Sequence, residues 1–111
     1  MPADRLYEVR WAAAAIRDLE DLITFVARES PENAQRLLAR LHAAARSLER
    51  YPARGRIVPE LMRFGVRRWR ELVVRPYRLV YRVGRRSVSV LAVFDGRRDL
   101  EDVLLERLLR A

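Results

Sequence analysis

The spacing of apolar positions changes period along the chain. From Leu6 to Trp11, "LYEVRW" sets Tyr7, Val9 and Trp11 against Leu6, Glu8 and Arg10, the two-residue alternation of a short strand. The next run, "AAAAIRDLEDLITFVARE", shifts to the helical period, with Ile16, Leu19, Leu22, Ile23 and Val26 on one face and Arg17, Asp18 and Asp21 opposite. In "SPEN", Ser30 stands where its hydroxyl can cap a helix, and Pro31 stands at the first helical position, where a missing N–H costs nothing. The second helix carries Leu37, Leu38, Leu41, Ala45 and Leu48 as its stripe and is expected to stop before Pro52. Two helices with almost no loop between them pack as an antiparallel hairpin.

"YPARGRIVPELMRFG" is punctuated by proline and glycine and reads as a connector or irregular edge. Three runs rich in β-branched and aromatic residues follow, at about Trp69–Val74, Tyr77–Val83 and Ser87–Phe94. "GRR" at Gly84–Arg86 is short enough for a hairpin, and Pro76, which lacks an N–H, marks a turn or edge between the first two runs. On the middle strand Tyr77, Leu79, Tyr81 and Val83 have core composition, while Arg78, Val80 and Arg82 share the other face. The expected fold is α+β: a small antiparallel sheet with the N-terminal helical hairpin on one face and an open, cationic face opposite.

The tail "RRDLEDVLLERLLRA" reads as a short C-terminal helix capped by Asp99. Leu100, Val103, Leu104 and Leu108 form its stripe, and Leu105 and Leu109 widen the apolar arc. Either a partner covers that second edge or the helix is buried more deeply. No repeat or linker interrupts residues 1–111, which read as a single domain.

Charge sharpens the picture. The 23 basic residues are all arginine, against 15 acids, for a net +8. Compositional bias alone can produce such uniformity, yet arginine also supplies a permanently charged fork that suits carboxylates and phosphates. Between Arg63 and Arg98, 11 arginines face two acids, Glu71 and Asp95, so the whole excess sits in the second half of the chain. That bias fits an anionic partner. Each cluster also has a plainer explanation: solvation for Arg67, Arg68 and Arg70, a turn for Arg85 and Arg86, and pairing of Arg97 and Arg98 with Asp99 or Asp102.

The same inventory narrows the chemistry. His42 is the one histidine and cysteine is absent, so neither a metal site nor a thiol nucleophile is expected. There is no Walker lysine and no G-x-G-x-x-G, so no cofactor is expected. None of Ser30, Ser47, Ser87 and Ser89 lies in a nucleophile-elbow context. With no long apolar run and no signal-like N-terminus, the expected location is the cytoplasm, away from membranes. Arginine, tyrosine and a few carboxylates suit a metal-free ribonuclease and a pure binder equally well.

"WRELVVRPYRLVYRV", the hairpin "GRRSVSVLAV" and the ending "FDGRRDLEDVLLERLL", with "SPENAQRLLARL" and "YPARGR" before them, resemble the RelE/ParE family of bacterial type II toxin–antitoxin toxins over nearly the whole chain. The resemblance implies two possible activities. In the ribosome-dependent mRNA endonucleases, basic residues on the sheet grip RNA and a C-terminal tyrosine or histidine moves protons. Arg78 and Arg98 match two of those basic positions and Arg70 can stand for a lysine, but the second lysine falls near Glu71 or Leu72, and Leu104 stands where a tyrosine belongs. The chain therefore looks more like the ParE branch, which acts on DNA gyrase.

That resemblance implies a target-binding surface of Arg70, Arg78, Arg82, Arg98 and Trp69, and contacts with a cognate antitoxin through Leu105, Leu109, Arg78 and Arg82 in a toxin–antitoxin hetero-oligomer. The alternative partners are the ribosome and mRNA, with Arg78, Arg98 and Tyr81 or Tyr77 as catalytic groups. A third reading is an inactive domain that only binds antitoxin.

Overall fold

The computed structural model describes residues 5–98, 101–103, 105 and 107. Its elements run β1 (Glu8–Trp11), α1 (Ala13–Glu29), α2 (Pro31–Ser47), β2 (Arg56–Ile57), α3 (Pro59–Met62), β3 (Trp69–Val74), β4 (Tyr77–Val83) and β5 (Ser87–Asp95). Residues 101–103, 105 and 107 are helical. Asp99, Leu100, Leu104, Leu108 and Leu109, to which the sequence pattern assigns a cap and an apolar arc, lie outside the described residues.

Ser30 makes the junction of the helical hairpin. Its N–H donates to Val26 O at 3.1 Å, closing α1, and its hydroxyl accepts from Asn33 N at 3.2 Å, opening α2. One residue thus serves both orphaned helix ends, which is why the loop is so short.

The five strands are ordered β1-β5-β4-β3-β2. β1 pairs parallel to β5, and the other pairings are antiparallel. A parallel neighbour requires a crossover, and the α1–α2 hairpin supplies it. The hairpin lies on one face, where Leu19, Leu37, Leu41 and Leu48 meet Leu72, Leu79, Tyr81, Val88 and Val90 in the main core. Of the stripe predicted for α1, Leu19 is buried but Ile16 is not; Ala15 takes the inner place beside it. Asp18, on the predicted polar face, turns inward instead: its carboxylate accepts from Val93 N at 3.1 Å and pairs with Arg107.

A bulge sets which residues of β5 face the hairpin. Val80 pairs with Ala92 and Tyr81 with Val90, so Leu91 is the extra residue. Before it the even positions Val88 and Val90 enter the main core; after it Val93 does, and Ala92 and Phe94 turn to the opposite face. One inserted residue exchanges the two faces of a strand.

The opposite face is the main correction to the sequence-based expectation of an open cationic surface. Val58, Leu61, Trp69, Val80, Ala92 and Phe94 form a second, smaller core there, with Val103 packed against it. The segment that reads as a connector contains β2 and α3, and α3 packs on this face through Leu61, in the second core, and Glu60, which reaches Arg78 of β4. Val80 is fully buried beneath it rather than exposed between two arginines.

Candidate functional site

α3 divides the outer face into a covered and an open part. In the covered part, four charged side chains from four elements meet. The Glu71 side chain is completely buried. It accepts from Arg56 Nε at 2.6 Å through one oxygen, and from Arg78 Nε at 2.6 Å and Arg78 Nη2 through the other. The remaining edge of the Arg78 guanidinium meets Glu60 of α3 in a bidentate pair, Nη1 to Oε2 and Nη2 to Oε1, both at 2.9 Å. The guanidinium carbon lies 5.9 Å from the centre of the Phe94 ring. A buried charge must be paired and hydrogen-bonded to be tolerated, and here every buried partner is satisfied.

Arg78 was expected to be open to a target. It is a buried residue whose side chain is only 9% exposed, and its charge is neutralised by two carboxylates. Its partners are Glu71 and Glu60, and Arg56 joins the network through Glu71 alone; the sequence pattern points to none of these contacts. The Arg56–Glu71 contact is a directly opposed cross-strand pair, and Glu71 stands opposite Val80, one diagonal step from Arg78. Pairing β3 with β4 in this register would have revealed the second contact, but nothing local in "VPELM" signals that Glu60 will reach it.

The open part is a row across four strands, ending on Trp69, which was expected on the target-binding surface but is itself buried in the second core. Arg10 of β1 pairs with Ser89 of β5, Ser89 with Arg82 of β4, and Arg82 with Trp69 of β3. The Arg82 guanidinium lies over the Trp69 ring, 5.6 Å from its centre. A cleft of about 320 Å³ follows this row, with Trp11, Ala12 and Leu91 completing its wall. Arg10 is paired with Glu8. Arg82, Arg67 and Arg68 are exposed and form no ion pair with the described residues. A second cleft of about 540 Å³ begins beside Trp69 and runs between Leu61, Val66, Arg67 and Arg68 to Leu105.

The remaining candidates are dispersed. Arg70 points toward the helical side and donates to Gly55 O at 2.7 Å and Ala53 O at 3.3 Å, holding the loop before β2. Arg98 is exposed beyond the far end of β5, and the Arg82 row crosses the other end. Arg97 pairs with Asp95; of the two carboxylates expected for it, Asp99 lies outside the described residues and Asp102 forms no ion pair with it. Leu105 is 39% exposed.

Tyr81 is buried in the main core, across the sheet from Arg78. Its oxygen accepts from Gly55 N at 2.9 Å. Burial pushes its pKa up, opposed by the Gly55 N–H and by Arg70 and Arg54. A Cβ on residue 55 would lie 2.5 Å from Glu71 O and 2.6 Å from the tyrosine oxygen, so only glycine permits this approach. Tyr81→Phe is expected to cost about 1–3 kcal/mol by leaving the Gly55 N–H buried and unpaired. An unchanged denaturation midpoint would refute the structural role.

Asp95 holds the turn after β5. Its carboxylate accepts from the Arg97 side chain at 3.0 and 2.6 Å and from Arg97 N at 2.9 Å. These bonds, the side-chain pair foremost, draw its pKa from 3.8 down to about 2. A depressed carboxylate stabilises the fold above its unfolded pKa and ceases to do so as pH falls through the folded value. The stability gap between wild type and Asp95→Asn is therefore expected to hold steady above about pH 4 and to narrow between about 4 and 2. Parallel acid-unfolding curves for the two proteins would contradict this.

Among the described residues no group of three or more His, Cys, Asp or Glu is arranged to hold a metal ion, and no helix is long and apolar enough to cross a membrane. The described residues present a cationic, partly aromatic surface beside a buried ion network.

Known proteins match this arrangement over most of its length. Residues 9–100 match the family model described as ParE toxin of type II toxin-antitoxin system, parDE. Toxin RelE2 of Caulobacter vibrioides is 35% identical over 86 residues, which span 78% of this chain and 91% of that protein. Among solved structures, the chromosomal ParDE TA system from P. aeruginosa superposes with a TM-score of 0.65 at 19% identity, over 83% of this chain and 98% of that one, a likeness of fold. The toxin–antitoxin complex RelBE2 from Mycobacterium tuberculosis gives a TM-score of 0.59 at 26% identity, over 83% and 93% of the two chains.

Proposed function

Since the chain belongs to the ParE toxin family of type II toxin–antitoxin systems, we propose that it poisons DNA gyrase through a recognition surface and that a cognate antitoxin neutralises it. The observation that carries this reading is the state of Arg78. A nuclease that stabilises a phosphorane-like transition state needs its arginine donors aimed at solvent-accessible phosphate. Here Arg78 donates to Glu71 and Glu60 and is nine-tenths buried. Tyr81, the hydroxyl considered for proton transfer, is on the other side of the sheet inside the main core. These two placements weigh against catalysis and in favour of binding.

The target-binding surface under this reading is the open row: Arg82 over Trp69, flanked by Arg10, Arg67 and Arg68. Arg98 extends it only if the partner reaches the far end of β5. Arginine is among the residues that most often dominate protein interfaces; here the buried Trp69 ring serves as the platform for Arg82, and the arginines supply steering toward an acidic partner. The antitoxin is assigned the neighbouring cleft that ends at Leu105, where an apolar ridge with acidic flanks would meet Leu61, Val66 and two arginines.

The kinship with a toxin named RelE2 keeps mRNA cleavage as the second reading. Expression in growing cells separates them. The gyrase reading expects DNA damage signalling with transcripts intact at their 5′ ends. Ribosome-dependent cleavage sites inside coding regions would replace it, and harmless expression of folded protein would favour a domain that only binds antitoxin.

A further inference from the structure

The ion network on the outer face is asymmetric in origin. Arg56, Glu71 and Arg78 belong to the sheet and leave one positive charge uncompensated. The compensating carboxylate, Glu60, comes from α3, a helix of four residues whose N-cap, Val58, offers no side-chain bond. So short a helix has little stability of its own and is held by what it touches. The sheet half, in contrast, is rigidly built. Glu71 fixes the Nε side of the Arg78 guanidinium, Phe94 lies against it, and Gly96 leaves room for its stem, since a Cβ there would come within 3.2 Å of Arg78 Cδ.

Glu60 meets the remaining Nη1/Nη2 edge fork to fork, the geometry in which an arginine recognises any carboxylate. Just past it, Met62 and Phe64 stand 42% and 64% exposed, an invitation to a partner that would cover them and draw the segment outward.

We propose that the sheet carries a preformed carboxylate receptor centred on Arg78, that Glu60 occupies it in the free toxin, and that an acidic side chain of the antitoxin exchanges with Glu60 on binding. The partner half of this inference rests on the toxin–antitoxin reading. Its chemistry is balanced: one bidentate carboxylate replaces another on the same guanidinium, so the buried arginine is never left without a counter-charge. The receptor being already oriented, the incoming carboxylate is spared the ordering cost that flexible surface arginines impose. Glu60 acts as an internal competitor that keeps small anions off Arg78 until a partner also engages Met62 and Phe64.

Three measurements decide it. Glu60→Ala titrated with acetate at constant ionic strength, chloride making up the balance, should show a saturable shift of the Arg78 Nε–H resonance. The wild type should show none, and a flat response in the folded variant overturns the receptor. Glu60→Gln should bind the cognate antitoxin about tenfold more tightly than wild type, because the competitor is weakened; equal or weaker binding by a folded variant overturns the exchange. In the wild-type complex the amides of Leu61 and Met62, both bonded to Val58 O in the free protein, should exchange faster with solvent than in the free toxin. Slower exchange there means that α3 stays in place, which also contradicts the proposal. Should the antitoxin bind neither wild type nor variant, the toxin–antitoxin reading falls, while the acetate titration still decides the receptor.

Discussion

Glu71→Ala is expected to destabilise the protein by about 3–5 kcal/mol, the cost of removing one partner from a buried ion network. Among the described residues the carboxylate is the only anion that touches both Arg56 and Arg78, and its side chain has no contact with solvent. Without it, Arg78 keeps Glu60 but loses the acceptor for its Nε inside an apolar layer of Val80, Ala92 and Phe94. For a chain of this size each kcal/mol moves the melting midpoint by about 4 °C or more, so a fall of roughly 12 °C or more is expected. Arg56→Ala is the control. Its side chain is mostly exposed, so the same network loses a screened surface partner worth at most about 1 kcal/mol. If Glu71→Ala melts within about 3 °C of the wild type, the network does not hold α3 and β2 to the sheet in the way described.

The second large effect is functional. Arg82→Ala is expected to leave stability within about 0.5 kcal/mol, since the residue is exposed and has no ion-pair partner among the described residues. It should nonetheless weaken gyrase inhibition by about 30-fold, the loss that corresponds to a central interface anchor of about 2 kcal/mol. Arg82→Lys keeps the charge but gives up the planar stack over Trp69, and intermediate activity is expected. Trp69→Ala is less informative, because Trp69 also belongs to the second core and its loss would unsettle the fold. Arg98→Ala reports how far the surface extends. Arg98 lies past the end of β5 where Asp95 pairs with Tyr77, about five residues or roughly 16 Å along β4 from Arg82. Inhibition titrations with purified variants check both substitutions, and full potency of Arg82→Ala would remove the row from the recognition surface.

The helical hairpin was legible because its signals are local: Ser30 and Pro31 mark the junction, and the leucines of α2 repeat at the helical period. The three long strands were legible for the same reason, each being a β-rich run set off by Pro76 or by Gly84. The inward face of β4 followed from simple alternation. What alternation could not reveal was the outer face, because two non-local facts decide it. The bulge at Leu91 turns Ala92 and Phe94 outward, and α3 arrives from a segment whose proline and glycine content suggests a loop. Together they build a second core over Val80 and bury Arg78 under Glu60.

The candidate site was therefore half visible. Trp69 and Arg82 were singled out from the sequence, and the structure stacks one on the other. Ser89 joins them through the β4–β5 hairpin, and Arg10 only through the parallel pairing of β1 with β5, a contact between segments nearly eighty residues apart that no local pattern announces. The family resemblance puts Arg70 in the target-binding set and Tyr81 among the catalytic groups of the nuclease alternative, but alternation places both on the helical side, where they secure the Gly55 loop.

The proposed action of this toxin is binding of gyrase and not cleavage of RNA. Its most direct test is a supercoiling assay with purified gyrase, relaxed plasmid and ATP, run with wild type and Arg82→Ala in parallel with and without the antitoxin. Loss of supercoiling and accumulation of cleaved plasmid are expected with the wild type, with reversal by antitoxin and a much weaker effect of Arg82→Ala. Gyrase left fully active by a folded protein that still arrests growth would contradict it and shift attention to the ribosome.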